Sequence, residues 1–144
     1  MWSDTLLAAE RAHLFQLALW GASSAILGTM MLAVVTIRRI AAPIIHWFAI
    51  HALVWGVAEL ILVLVRWRTL VMRDVSAATR LDRFTWLNAG LDAGIVGVGL
   101  AIAVFAWIYG RRLGAVGAGL GILVQGLGLL VINLTFAAML ARLI

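Results

Sequence analysis

Residues 86–112 read WLNAGLDAGIVGVGLAIAVFAWIYGRR. The part before the two arginines is apolar apart from one amide and one carboxylate, and as a helix rising 1.5 Å per residue it would be about 36 Å long. The hydrocarbon core of a bilayer is about 30 Å thick and is crossed by roughly 20 apolar helical residues. Residues 86–109 are therefore predicted to form a membrane-spanning helix that ends at Arg111 and Arg112.

Three further segments of the same kind cover most of the remaining chain, and they are residues 12–37, 43–65 and 113–141. Pro43 suits the first position of a helix, because its missing N–H is not needed there. Aromatic rings prefer the headgroup level of a membrane, and several fall at the ends of the predicted spans: Trp47, Trp67, Trp86, Trp107 and Tyr109. We predict an all-α fold, a four-helix transmembrane bundle that forms a single membrane domain over residues 1–144.

The overall composition agrees with this fold and excludes other classes of protein. Of the 144 residues, 65% are hydrophobic and 12% are charged, whereas soluble domains have about 45–50% and about 25%. The mean hydropathy of +1.12 excludes a soluble enzyme or a disordered tail, and the absence of cysteine excludes a disulfide scaffold. The net charge of +5 comes from arginines near span ends, so the expected partner is the lipid bilayer and no nucleic acid.

The connection between the second and third spans, residues 66–85, mixes arginines with apolar side chains. This mixture is typical of a short amphipathic segment that lies in the membrane interface with its arginines among lipid phosphates. Docking of a partner protein is the alternative interpretation.

Four spans place both chain ends on one side of the membrane, which we call the terminal side. Arginines on this side outnumber those on the other. The terminal side carries Arg11, Arg66, Arg68, Arg73, Arg80, Arg83 and Arg142, and the opposite side carries Arg38, Arg39, Arg111 and Arg112. The positive-inside rule therefore favours cytoplasmic termini.

Two carboxylates lie inside the predicted spans. Glu59 stands about six residues before the end of the second span and Asp92 about six residues into the third, so both lie roughly 10 Å below the terminal-side face. An ionised side chain in mid-membrane costs about 2.5–3.5 kcal/mol on insertion scales and therefore faces the bundle interior. Since the spans offer no Lys or Arg partner, Glu59 and Asp92 are predicted to approach each other and to share a proton, or to require a cation or a histidine.

Neutral polar side chains extend this predicted site for a ligand or a proton. His13, Gln16, Trp20 and Ser23 follow at three- and four-residue steps and form one stripe of the first helix. The complete candidate site consists of Glu59, Asp92, Asn88, Asn133, Gln125, His13, His51 and Trp55. The alternative for the neutral members is purely structural, since polar groups in membrane bundles also form interhelical hydrogen bonds worth about 0.6 kcal/mol each.

Metal and cofactor chemistry find little support in the sequence. No ligand spacing indicates a metal site, and no cofactor is expected. His13 and His51 lie toward opposite faces of the membrane, so one chain cannot bring both to a haem. Two copies of His51 across a dimer axis, or a single histidine on a haem or chlorophyll, remain open. Because no set of nucleophile, base and acid is recognisable, we expect a protein without enzymatic activity.

Glycine is concentrated in the third and fourth spans, where side-chain-free faces allow helices to approach closely. Gly90 and Gly94 form a GxxxG pair, and glycines recur at helical spacing in the fourth span: Gly114, Gly117 and Gly121. We predict that these residues pack the third and fourth spans together. A homodimer contact, or a groove for a lipid or pigment, is the alternative.

Three segments carry a family resemblance, and they read HALVWGVAE at 51–59, LNAGLDAG at 87–94 and LVQGLGLLVIN at 123–133. The chain resembles a family of short four-span bacterial membrane proteins of unknown activity, which share a WG pair, an N-x-G-L-D-x-G run and a QG pair. The resemblance covers about residues 44–135 and implies a place in the bacterial inner membrane. The family has an acidic residue where Asn133 stands, which weakens any carboxylate-based role for that position.

Three functions remain open on this basis. The polar cluster binds or passes a proton, a cation or a small polar molecule, and since four spans are few for a transporter, this version expects a homo-oligomer. Alternatively, the protein is a non-catalytic scaffold or an accessory subunit that binds a partner membrane subunit. The third possibility is a small intramembrane enzyme that acts on a lipid or a quinone.

Overall fold

The computed structural model describes residues 2–143, which form four helices and no strand. They are α1 (Trp2–Ile37), α2 (Pro43–Arg68), α3 (Val75–Ile108) and α4 (Leu113–Leu143). All four are long and apolar enough to cross a membrane. The predicted all-helical, four-span fold is therefore confirmed.

The segment between the second and third spans forms no separate helix. Residues 66–85 are divided between the end of α2, a loop at 69–74 and the first turns of α3. Asp74 caps α3, because its Oδ1 accepts a hydrogen bond from the backbone N–H of Ala77 at 2.7 Å, and this bond lowers the pKa of the Asp74 carboxyl. The helix thus begins well before Trp86. Of the arginines of this segment, Arg66 and Arg68 end α2, Arg73 lies in the loop, and Arg80 and Arg83 lie in the first turns of α3.

Helix α4 has the most central position in the bundle. It packs against α3 and α2 and, over a shorter length, against α1, which itself packs along α2. Within residues 2–143, no Cα atom of α3 comes within 8 Å of a Cα atom of α1 or α2. Since α3 is held mainly by α4, a gap separates it from α2.

Buried apolar side chains concentrate in the terminal-side half of the bundle. One cluster joins α1, α3 and α4 and includes Leu6, Ala78 and Phe136. A second cluster joins α1, α2 and α4 and includes Leu14 and Leu129. These two clusters border the polar site described below.

Two glycines allow α3 and α4 to meet at backbone distance. A Cβ atom on Gly99 would lie 2.5 Å from the backbone nitrogen of Leu123, and one on Gly119 would lie 2.5 Å from that of Ala103. Carbon and nitrogen atoms in van der Waals contact are separated by about 3.5 Å or more. Neither position can therefore carry a side chain unless the two helices move apart.

The structure corrects the glycine prediction. Gly90 and Gly94 lie on the outward face of α3, where an added Cβ would meet no atom within 4 Å, because α3 turns Gly99 toward α4 instead. Three glycines of α4 do pack closely, but against α2 rather than α3: Gly114 contacts Trp47, Gly117 contacts Ile44, and Gly121 contacts His51.

Candidate functional site

The gap between α2 and α3 contains both intramembrane carboxylates. Glu59 and Asp92 line one cavity of about 170 Å³, which we call the acid cleft. Its other polar residues are Arg66, Asn88 and Asn133. Asp92 is buried and Glu59 is half-buried. The antiparallel course of α2 and α3 thus brings the two acids to one cavity, as their equal depth in the sequence predicts.

Helix α4 supplies the partner of Asp92. The side-chain amide of Asn133 donates a hydrogen bond from Nδ2 to Asp92 Oδ2 at 2.6 Å, and both residues are buried. A buried carboxyl group requires such a partner, because it has lost the hydrogen bonds of water. Asn133 therefore fixes the Asp92 carboxyl group within the acid cleft.

Arg66 is a charged residue of the acid cleft that the sequence analysis assigned to the interface instead. It stands in the last turn of α2, and its guanidinium lies 5.2 Å from the ring centroid of Phe84. Helical spacing could have predicted this position, since Glu59 and Arg66 are separated by two helical turns and share a face. The acids thus have a cationic neighbour, contrary to the prediction.

A second cavity, of about 190 Å³, adjoins the acid cleft on the terminal side, and we call it the terminal cavity. Its polar lining consists of Glu10, His13, Arg66, Thr69, Arg73, Thr85 and Asn88. Arg66 and Asn88 line both cavities. Polar side chains therefore continue from the terminal end of the bundle to the two carboxylates.

An ion pair forms part of the terminal cavity. Arg73, in the loop at 69–74, donates from Nε to Glu10 Oε2 at 2.9 Å and from Nη2 to Glu10 Oε1 at 2.6 Å. These hydrogen bonds raise the pKa of the Arg73 guanidinium. Paired bonds of this kind fix orientation as well as adding energy, so the pair ties the loop to α1. Sequence analysis left Glu10 out of the site because it began the first span at residue 12, and it assigned Arg73 to the membrane interface.

His13 belongs to the terminal cavity and not to the acid cleft. Its ring stacks on that of Phe136, with centroids 4.1 Å apart, and the residue is only 5% exposed. Its Nδ1 atom has no hydrogen-bond partner among the described residues. Asn88, by contrast, lies where the two cavities meet.

Gln125 lies in a separate polar cluster between α1 and α4. Its Oε1 accepts a hydrogen bond from Trp20 Nε1 at 2.9 Å, and its Nε2 donates to Ser24 Oγ at 3.1 Å. This cluster lines neither cavity. Gln125 and Trp20 therefore form interhelical hydrogen bonds between α4 and α1.

The predicted neutral site residues of α2 are divided in a similar way. Trp55 lines the acid cleft, whereas His51 lies in the opposite half of the bundle, where its Nδ1 donates to the carbonyl of Trp47 at 2.9 Å. On α1, Gln16 and Ser23 are exposed, since they flank the buried face that carries His13. These three residues stand outside both cavities.

The acid cleft brings acidic and basic side chains together. Its charged groups are the two carboxyl groups and the guanidinium of Arg66, contributed by α2 and α3. Two carboxylates that share a poorly hydrated site resist being ionised together. Residues 2–143 contain no group of three His, Asp or Glu side chains arranged to hold a metal ion.

These features define a four-span membrane protein with carboxylates in an interior cleft that adjoins a polar cavity at one end of the bundle. The chain belongs to a family of unknown function, DUF6992, whose match covers residues 16–134. The matched region includes all residues of the acid cleft but begins after Glu10 and His13. No curated protein and no solved structure matches the chain.

Proposed function

We propose that the protein binds and releases protons inside the bacterial inner membrane, with Glu59 and Asp92 as the titrating pair and its termini in the cytoplasm. The observation that carries this proposal is the position of both carboxyl groups on one cleft beside a single guanidinium. Asn88 and Asn133 act as neutral hydrogen-bonding groups of the same site.

The charge balance of the cleft favours a proton. Arg66 can balance one carboxylate, and the second then has no counter-charge among the residues that line the cleft. A metal cation would meet the positive charge of Arg66, whereas a proton neutralises the second carboxylate without needing further ligands.

The lining of the cleft supports proton exchange with one side of the membrane. Polar groups continue through Asn88 and Arg66 into the terminal cavity. In the other direction the cleft is bordered by Trp55 and Ile95, which offer an indole ring and an alkyl side chain. This one-sided arrangement fits a binding and release site better than an open channel.

Infrared difference spectroscopy of the protein in lipid tests the proposal through the signal of a protonated carboxyl group at neutral pH. We expect this signal in the wild type and its loss in both Glu59→Gln and Asp92→Asn, because Arg66 then balances the one remaining carboxylate. Asp82→Asn is the matched control, since Asp82 lies on α3, like Asp92, but lines neither cavity. A wild type without the signal, or single variants that retain it, would exclude the shared proton.

The proposal includes a homo-oligomer, because four spans per chain leave little room for a complete proton pathway across the membrane. The exposed glycines of α3, Gly90 and Gly94, support it, because a glycine face allows a helix of a second copy to approach closely. A native mass spectrum from mild detergent should show multiples of 15.6 kDa. Peaks of a single chain would contradict the oligomer, and added mass from another polypeptide would favour the accessory-subunit function.

A further inference from the structure

We propose that the terminal cavity is a binding site for a phosphate group, held between Arg66, His13 and Asn88. The three side chains come from α2, α1 and α3 and line one cavity of about 190 Å³. The terminal cavity shares Arg66 and Asn88 with the acid cleft, but binding of a phosphate group is measured separately from protonation of Glu59 and Asp92.

Of the two arginines that line the terminal cavity, only Arg73 forms an ion pair. Glu10 and Arg73 neutralise each other through their paired hydrogen bonds. Arg66 lies over the ring of Phe84, and no carboxylate of the described residues comes within 4.0 Å of its guanidinium. Among the described groups that line the terminal cavity, Arg66 is therefore the cation without a carboxylate in direct contact, which favours an anion.

His13 adds an observation that points to a ligand. It is 5% exposed and lines the cavity, yet its Nδ1 atom makes no hydrogen bond within residues 2–143. A buried polar atom without a partner is rare in native proteins and calls for an explanation such as an absent water or ion. Stacking against Phe136 prevents the ring from turning out to solvent.

The supply of donors fits a phosphate group. The hydroxyl groups of Thr69 and Thr85 already donate to backbone carbonyls, to Arg66 at 3.0 Å and to Leu81 at 2.9 Å. The side chains of Arg66, His13 and Asn88 come from three helices and make no hydrogen bond within residues 2–143, so their N–H groups remain available. The guanidinium fork also matches phosphate geometry.

The phosphate group can come from free phosphate or from the headgroup of an anionic lipid. Phe84 lines the terminal cavity and is 47% exposed, so the cavity borders the lipid surface near the terminal face. Phosphorus NMR of the full chain in a maltoside detergent, titrated with inorganic phosphate, tests the first source. Native mass spectrometry with added phosphatidylglycerol tests the second.

We expect wild-type protein to bind one of these probes, and Arg66→Gln and His13→Gln to bind it at least about tenfold more weakly, since each loses a hydrogen bond to a charged group. The matched control is Arg68→Gln, which removes an exposed arginine two residues further along α2. Arg66→Lys keeps the charge without the fork, and binding between that of the wild type and Arg66→Gln would support the site even if Arg66→Gln folds poorly. Absence of binding of either probe to the wild type, or equal binding by Arg66→Gln and Arg68→Gln, would overturn the proposal.

Discussion

The replacement Gly99→Ala is expected to lower the free energy of unfolding by about 3 kcal/mol, the upper end of the usual cost of overpacking a core. The new Cβ would lie 2.5 Å from the backbone nitrogen of Leu123 and 2.8 Å from the carbonyl oxygen of Gly119. Backbone atoms of a helix cannot turn aside as a flexible side chain does. The contact can be relieved only if α3 moves away from α4, which is its main partner in the bundle.

The matched control for Gly99→Ala is Gly97→Ala, two residues earlier on the same helix. An added Cβ there meets no atom within 4 Å, and alanine has a higher helix propensity than glycine by about 0.5–1 kcal/mol. We expect Gly97→Ala to be as stable as the wild type or slightly more stable in thermal unfolding in one detergent. If both variants unfold at the same temperature, the close approach of α3 and α4 is refuted.

The second large effect is expected from Arg73→Met, which leaves the carboxylate of Glu10 buried without its partner. Glu10 is 7% exposed, and breaking a buried ion pair by removing one member costs about 3–5 kcal/mol. Since the Arg73 side chain is still 24% exposed, we expect a loss near 3 kcal/mol, measured by unfolding in detergent.

A double-mutant cycle separates the ion pair from general damage to the loop. The variant Glu10→Gln combined with Arg73→Met carries no unpaired charge, so it should regain part of the stability that Arg73→Met alone loses. Arg80→Met removes an exposed arginine of α3 and should change stability by less than about 0.5 kcal/mol. An Arg73→Met variant as stable as Arg80→Met would show that the pair contributes nothing to the fold.

The spans were predictable, because a long apolar run admits few alternatives to a membrane helix. The shared cleft of Glu59 and Asp92 was predictable too, since their equal depth on consecutive antiparallel spans needs no knowledge of packing. The start of α3 was harder to predict, because its polar residues resemble an interfacial segment until the cap at Asp74 is known.

Helix rotation was the other part that the sequence could not determine. Gly90 and Gly99 both offer α3 a surface for close packing, and only the contacts made by α4 select Gly99. The same holds for Gln125, which the sequence placed in the candidate site but whose side chain turns toward Ser24. Spacing gives the relative directions of residues on one helix, but the absolute direction depends on its neighbours.

The gap between α2 and α3 affects the medium that surrounds the carboxyl groups of Glu59 and Asp92. Leu62 and Leu91 line the acid cleft and are 52% and 58% exposed, so the cleft reaches the surface that faces the acyl chains. Hydrocarbon then forms one wall of the site, and the local dielectric constant around Glu59 depends on how tightly those chains exclude water. The acid–base equilibrium of the cleft is therefore a joint property of the protein and its bilayer, and it changes with lipid composition even when every residue stays the same.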